Sequence, residues 1–110
     1  LYPPEWIAEN SEVLEAQQAA QVAMLAPVSV MTSRIEAVQA FDRRDQLSDI
    51  DVPILVLCAR DDHQTPAYFS AALAAAIPGA EYKLLDYGGH ACSRTVPGEF
   101  NRIVAEYFAR

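Results

Sequence analysis

Two side chains in this 110-residue sequence are placed to do acid–base chemistry together. Asp62 comes three residues after the apolar run Val52-Pro53-Ile54-Leu55-Val56-Leu57-Cys58-Ala59, inside the loop Arg60-Asp61-Asp62-His63-Gln64. His90 follows Gly88-Gly89. Paired glycines permit a positive-φ turn that lets an imidazole stand clear of a strand end. A carboxylate bound to an imidazole fixes the ring's tautomer and stabilises the imidazolium, which is the orienting half of nucleophile activation. Each residue also has an ordinary reading. A loop aspartate commonly caps local N–H groups, and a loop histidine is commonly a surface group. Asp61 is the neighbouring alternative to Asp62; adjacent side chains point differently, so only one of them can face the imidazole. His63 lies in the same polar loop with nothing to aim it and reads as exposed.

The pair gains weight from the elements that would position it. Pro53 opens the first strand, where a missing N–H costs least. Ile54 to Leu57 are apolar on both faces, as in a parallel sheet covered on both sides. Thr65 is a good N-cap and Pro66 a good first helical residue. Phe69, Ala72, Leu73, Ala76 and Ile77 follow at i, i+3, i+4, i+7 and i+8, which predicts a helix packing on the sheet through that stripe. Pro78-Gly79 ends it. A second strand is expected over Glu81 to Leu85, completing a parallel βαβ unit. Pro97 then starts a last helix with the stripe Phe100, Ile103, Val104, Tyr107 and Phe108. Asp62 and His90 thus fall past the carboxyl ends of two successive strands, where ligands gather in open parallel sheets. Neighbouring strands lie about 4.8 Å apart, so the two groups can reach hydrogen-bond distance.

Residues 1 to 47 read as a set of helices. Pro3-Pro4 precedes a short turn, and Trp6 and Ile7 must dock on something. A helix is expected from Asn10-Ser11 to about Ala26, ended by Pro27, with Val13, Ala16, Ala20, Ala23 and Met24 on its apolar face. A second carries Val28, Met31, Ile35, Val38 and Phe41. Met24 and Met31 read as core filler rather than ligand contacts.

The bulk properties exclude some partners. A net charge of −7 repels phosphate backbones and anionic membrane surfaces, so neither nucleic acid nor membrane is expected. No apolar run approaches the roughly 20 residues of a membrane helix. Cys58 and Cys92 have no metal-ligand or disulfide-framework spacing and read as reduced thiols of a cytoplasmic protein. That spacing leaves no metal expected, and the glycine-rich phosphate loop of a cofactor-binding βαβ unit is missing, so no cofactor is expected.

The segment from Ala59 to Pro66 resembles the acid loop of α/β-hydrolases, with Asp62 four positions before Pro66; Ala59 stands where a glycine is usual. The run Tyr87-Gly88-Gly89-His90-Ala91-Cys92, with Pro97, Phe100 and Asn101, resembles the histidine loop of the aminoacrylate hydrolases of pyrimidine utilisation. Leu1-Tyr2-Pro3, with Trp6, resembles the start of the helical lid in that group. The resemblance implies the C-terminal portion of an α/β-hydrolase fold: a lid in residues 1–47, then a parallel βαβ unit and a C-terminal helix in residues 48–110. It implies Asp62 and His90 as acid and histidine of a Ser-His-Asp triad acting on small amides, imines or esters.

None of Ser11, Ser29, Ser33, Ser48, Ser70 and Ser93 has the flanking glycines of a nucleophile elbow. The chain starts with Leu1, which suggests residues upstream. The expectation is a hydrolase fragment that is inactive alone, or alternatively a non-catalytic interaction module of the same shape. An unpaired, buried-type strand edge is a template for association. The expected partner is therefore the missing N-terminal segment or a second copy, with a small-molecule substrate in the complete enzyme.

Overall fold

A computed structural model describes residues 1–110. The chain begins with three helices, α1 (Pro4–Glu9), α2 (Ser11–Ala23) and α3 (Val28–Ala40), and a 3-10 helix (Arg44–Asp49). Strand β1 (Leu55–Ala59), helix α4 (Ala67–Ala76) and strand β2 (Glu81–Leu85) follow. A short helix α5 (Cys92–Thr95) and helix α6 (Pro97–Phe108) end the chain. The strands pair in parallel, in the register Leu55 with Glu81 through Ala59 with Leu85. That is the expected βαβ unit, with β1 shorter at its start than the apolar run suggests. The sheet has these two strands, so β1 leaves one edge unpaired within the chain.

The core sits under the ends of the strands that carry Asp62 and His90. Ala59, Leu85 and Cys92 form its centre, with Leu57, Val96, Phe100 and Ile103 packed against them. The α6 stripe therefore faces the sheet as its spacing predicts, apart from its last member, Phe108, which is exposed.

Helix α4 departs from its predicted face. Phe69, Ala72, Leu73 and Ala76 are exposed, while Ala67, Ser70, Ala74 and Ile77 are buried or half-buried. Of the predicted stripe only Ile77 enters the core. The reason is steric: Ala67, Ser70 and Ala74 are small, and small side chains let the helix approach the sheet closely. Leu73 instead borders a groove with Phe41 and Leu47. Thr65 does not cap α4 either; Pro66 takes the N-cap position, and the Thr65 hydroxyl is used elsewhere.

The N-terminal helices bury little. Helix α2 ends at Ala23 rather than near Ala26, and α3 is exposed along its length. Met24 is 84% exposed and Met31 37%, which overturns their reading as core filler. Asn10 makes no side-chain cap; its Nδ2 donates to the Trp6 carbonyl at 2.9 Å. Only ten residues of the chain are buried, so these apolar faces have no cover within it. No helix is long and apolar enough to cross a membrane.

Trp6 does dock. It stacks on Tyr2, with ring centroids 4.6 Å apart, and the Arg94 guanidinium lies 5.3 Å from the Tyr2 centroid and 5.5 Å from that of Trp6. Arg94 also donates to the Tyr2 hydroxyl at 2.8 Å and to Gln17 Oε1 at 2.9 Å. Ile7 remains exposed.

Candidate active site

Asp62 enters the site by a tight turn at the end of β1, where its N–H donates to the Ala59 carbonyl at 3.3 Å. Its side chain is 6% exposed, and a buried carboxylate must be met by donors. Four are present. Oδ1 accepts the Gln64 and Thr65 N–H groups, each at 2.9 Å. Oδ2 accepts the Thr65 hydroxyl at 2.9 Å and faces His90 Nδ1 at 3.0 Å. Burial alone would push the carboxyl's pKa up. The Thr65 N–H, the imidazole, the Thr65 hydroxyl and the Gln64 N–H together outweigh burial and hold it at about 2. Asp62 is therefore an anion at neutral pH and can only accept.

The tautomer follows. An ionised Asp62 requires that Nδ1 of His90 carry the proton. Thr65 Oγ1 lies 3.1 Å from the same nitrogen, so its lone pair shares the Nδ1–H with the carboxylate. Nε2 is then the unprotonated nitrogen of the neutral ring. It has no hydrogen-bond partner within the chain, and the imidazole is 35% exposed. The arrangement can accept a proton at Nε2 from an approaching hydroxyl and hold the resulting imidazolium against a carboxylate.

Two glycines put the imidazole there. Gly88 has φ 139° and Gly89 φ 63°, both costly for residues with a Cβ. The space is closed as well. A Cβ on Gly88 would lie 2.8 Å from Cys92 Cβ, and one on Gly89 2.9 Å from the Leu1 carbonyl oxygen. The loop is tied down by Thr95, whose hydroxyl donates to the Gly88 carbonyl at 2.6 Å, and by Ala91, whose N–H donates to the Leu1 carbonyl at 3.0 Å.

Of the two adjacent acids, Asp62 alone meets the imidazole. Asp61 turns toward the glycines and accepts their N–H groups. His63 is exposed and makes no side-chain hydrogen bond. Cys58 and Cys92 are free, buried thiols; Cys58 Sγ lies 3.4 Å from the Tyr82 hydroxyl, and burial pushes the Cys92 thiol up. No three His, Cys, Asp or Glu side chains converge as a metal would need. Thr65 and Thr95 join the site without a site signal in the sequence. The capping pattern at Thr65 points to the helix, whereas its hydroxyl serves the loop.

A parallel β–α–β unit with a buried carboxylate past its first strand, an imidazole past its second and a closing helix has the form of the C-terminal portion of an α/β-hydrolase, and the chain belongs to that superfamily. No family model matches the chain. Its relatives point further. It is 46% identical over 104 residues to the "Putative carbamate hydrolase RutD" of Azorhizobium caulinodans, covering 94% of this chain and 39% of that protein. To the protein of the same name from Stutzerimonas stutzeri it is 41% identical over 109 residues, covering 99% and 41%. Among solved structures it resembles the enol-lactonase from Burkholderia xenovorans LB400, with a TM-score of 0.84 and 25% identity over 99% of this chain and 41% of that one. It also resembles Est816, described as an N-acyl homoserine lactone degrading enzyme, with a TM-score of 0.73, 28% identity and coverages of 94% and 41%. The chain thus spans about 40% of the length of these relatives.

Proposed function

We propose that this chain supplies the acid, Asp62, and the histidine, His90, of a serine-type hydrolase acting on a small carbamate, amide, imine or ester, in pyrimidine utilisation. The observation that carries the reading is the 3.0 Å contact between Asp62 Oδ2 and His90 Nδ1, with Nε2 left without a hydrogen-bond partner in the chain on a ring that is partly exposed. The names of the relatives and structural neighbours, "putative carbamate hydrolase", "enol-lactonase" and "N-acyl homoserine lactone degrading enzyme", support acyl transfer as the reaction class.

In this reading, for a carbamate, amide or ester, a serine hydroxyl from outside residues 1–110 attacks the carbonyl carbon while its proton passes to His90 Nε2. The imidazolium is held by the Asp62 carboxylate through Nδ1–H. The tetrahedral intermediate collapses as Nε2–H gives its proton to the departing nitrogen or oxygen. Water then repeats the exchange: its proton goes to Nε2, its oxygen to the acyl carbon, and the serine oxygen regains the proton. Residues 1–47 form the lid over this site. Asp62 and His90 without a nucleophile or oxyanion donors turn over nothing measurable.

The free edge of β1 takes the rest of the hydrolase core. A groove beside it is lined by Ile54, Leu57, Phe100, Val104 and Phe108, and the Tyr107 hydroxyl there is buried with no partner in the chain. An apolar groove beside an unpaired strand calls for cover.

The test is hydrolysis of p-nitrophenyl acetate by the chain alone and joined to the sequence upstream of Leu1. Activity that needs the upstream segment and vanishes in His90→Ala is the expected result. A complete protein with no activity and no labelling by a fluorophosphonate would instead leave an interaction module.

A further inference from the structure

We infer that Asp61 is a positioning residue for the imidazole, acting on the backbone of the histidine loop while its neighbour Asp62 acts on the ring. The inference rests on the hydrolase reading above and adds a residue to it. Asp61 Oδ1 accepts the Gly89 N–H at 2.9 Å and Oδ2 accepts the Gly88 N–H at 3.3 Å. Two successive N–H groups thus converge on one carboxylate, the concave backbone arrangement that binds anions.

The need for such a clamp follows from the glycines. They allow the positive-φ turn, but they do not select it, because glycine has the widest choice of backbone conformations. Both glycines are buried, so their N–H groups must find acceptors. Asp61 satisfies both at once and does so from the turn that follows β1, 27 and 28 residues away in sequence. Bonds to an ionised acceptor are roughly twice as strong as neutral ones. Together with the Thr95 hydroxyl on the Gly88 carbonyl, the carboxylate fixes the backbone immediately before His90. Consecutive acids therefore share the placement of one side chain. Asp61 sets where the His90 Cα stands, and Asp62 sets how its ring turns.

Asn at position 61 keeps the shape, but its amide offers one acceptor oxygen and places an NH2 against the other glycine N–H. In the intact, nucleophile-bearing protein, Asp61→Asn should lower kcat about tenfold and Asp61→Ala about a hundredfold, the size expected when a catalytic group is displaced by about 1 Å. KM for p-nitrophenyl acetate should stay within about twofold, because the clamp does not touch substrate. In NMR spectra of the same variants, the Gly89 amide resonance should move upfield of its position in the parent and the His90 Nδ1–H resonance should broaden. If Asp61→Ala does not fold, the near-isosteric Asn variant still decides the matter. An Asn variant with parental kcat and an unchanged His90 Nδ1–H resonance overturns the inference. His90→Ala separates the two readings: if it still hydrolyses the ester, the hydrolase reading fails. If it is dead while Asp61→Asn is indistinguishable from the parent, only the clamp fails.

Discussion

Asp62 Oδ2 stands 3.0 Å from His90 Nδ1 across two paired parallel strands, and every lone pair the carboxylate aims inward meets a donor. This saturation makes the pair directional. An anion that can only accept compels Nδ1 to hold the proton and leaves Nε2 as the base. Asp62→Asn breaks that logic with almost no change of volume, since the amide can donate to Nδ1 and so favour the wrong tautomer. In the nucleophile-bearing protein, kcat should fall on the order of 10⁴-fold, as for the equivalent change in the serine-protease triad. The His90 Nδ1–H resonance should disappear from the NMR spectrum of the neutral form. A variant that kept both would show that the contact does not set the tautomer.

The same bonds tie stability to acid. Asp62 titrates at about 2 in the folded chain against an ordinary value of 3.8, and its side chain is nearly inaccessible. A folded value below the unfolded one means the stabilisation is complete above about pH 4 and is lost as pH falls through about 2. Its size is about 2 kcal/mol by linkage. Urea titrations between pH 6 and pH 2 should therefore show a steeper loss of stability for the parent than for Asp62→Asn. Parallel curves for the two proteins would rule out this carboxylate as the source.

The glycines offer a graded test of backbone strain. Gly79, Gly88 and Gly89 all have positive φ, but a Cβ on Gly79 would meet nothing within 4 Å. Gly79→Ala should thus cost only the left-handed penalty, about 1–2 kcal/mol. Gly88→Ala adds a collision with Cys92, and Gly89→Ala one with the Leu1 backbone and Pro3. Each should cost about 1–3 kcal/mol more than the Gly79 change, the usual range for overpacking. Chemical denaturation of the three variants checks the order. Equal losses would mean that the histidine loop relaxes freely around a methyl group.

How far these features can be read without coordinates depends on what fixes each one. The strand ends are legible because period and apolarity set them: β2 begins and ends where its sequence pattern does. Asp62 and His90 are legible because parallel pairing brings successive strand ends together. The face of α4 is not. Phe69 and Leu73 form the more apolar stripe, but Ala67, Ser70 and Ala74 permit the closer approach, and fit decides the packing on the sheet. The role of Asp61 is hidden for a related reason: nothing in the local pattern says that a loop carboxylate will meet amides on the neighbouring strand's loop. Met24 and Met31 lie outside the core they are expected in because periodicity shows which side of a helix is apolar, not whether anything covers it.

The tie between the first residues and the histidine loop yields the last prediction. Arg94, four positions after His90, lies against Tyr2 and Trp6 and bonds Tyr2 and Gln17, while the Leu1 carbonyl accepts the Ala91 N–H. The start of the chain and α2 are thereby held to the segment that carries the imidazole. A cation over an aromatic face at an exposed site contributes about 0.5–1 kcal/mol. Arg94→Ala should remove that much stability and free the ring of Trp6, the chain's one tryptophan, so its emission should shift red and become more accessible to acrylamide. Arg94→Lys keeps the charge but loses the planar fork that reaches Tyr2 and Gln17 together, so it should restore the emission only in part. If Trp6 fluorescence in Arg94→Ala matches the parent, the aromatic pair is held by its own stacking, and Arg94 is not what joins the N-terminal helices to the histidine loop.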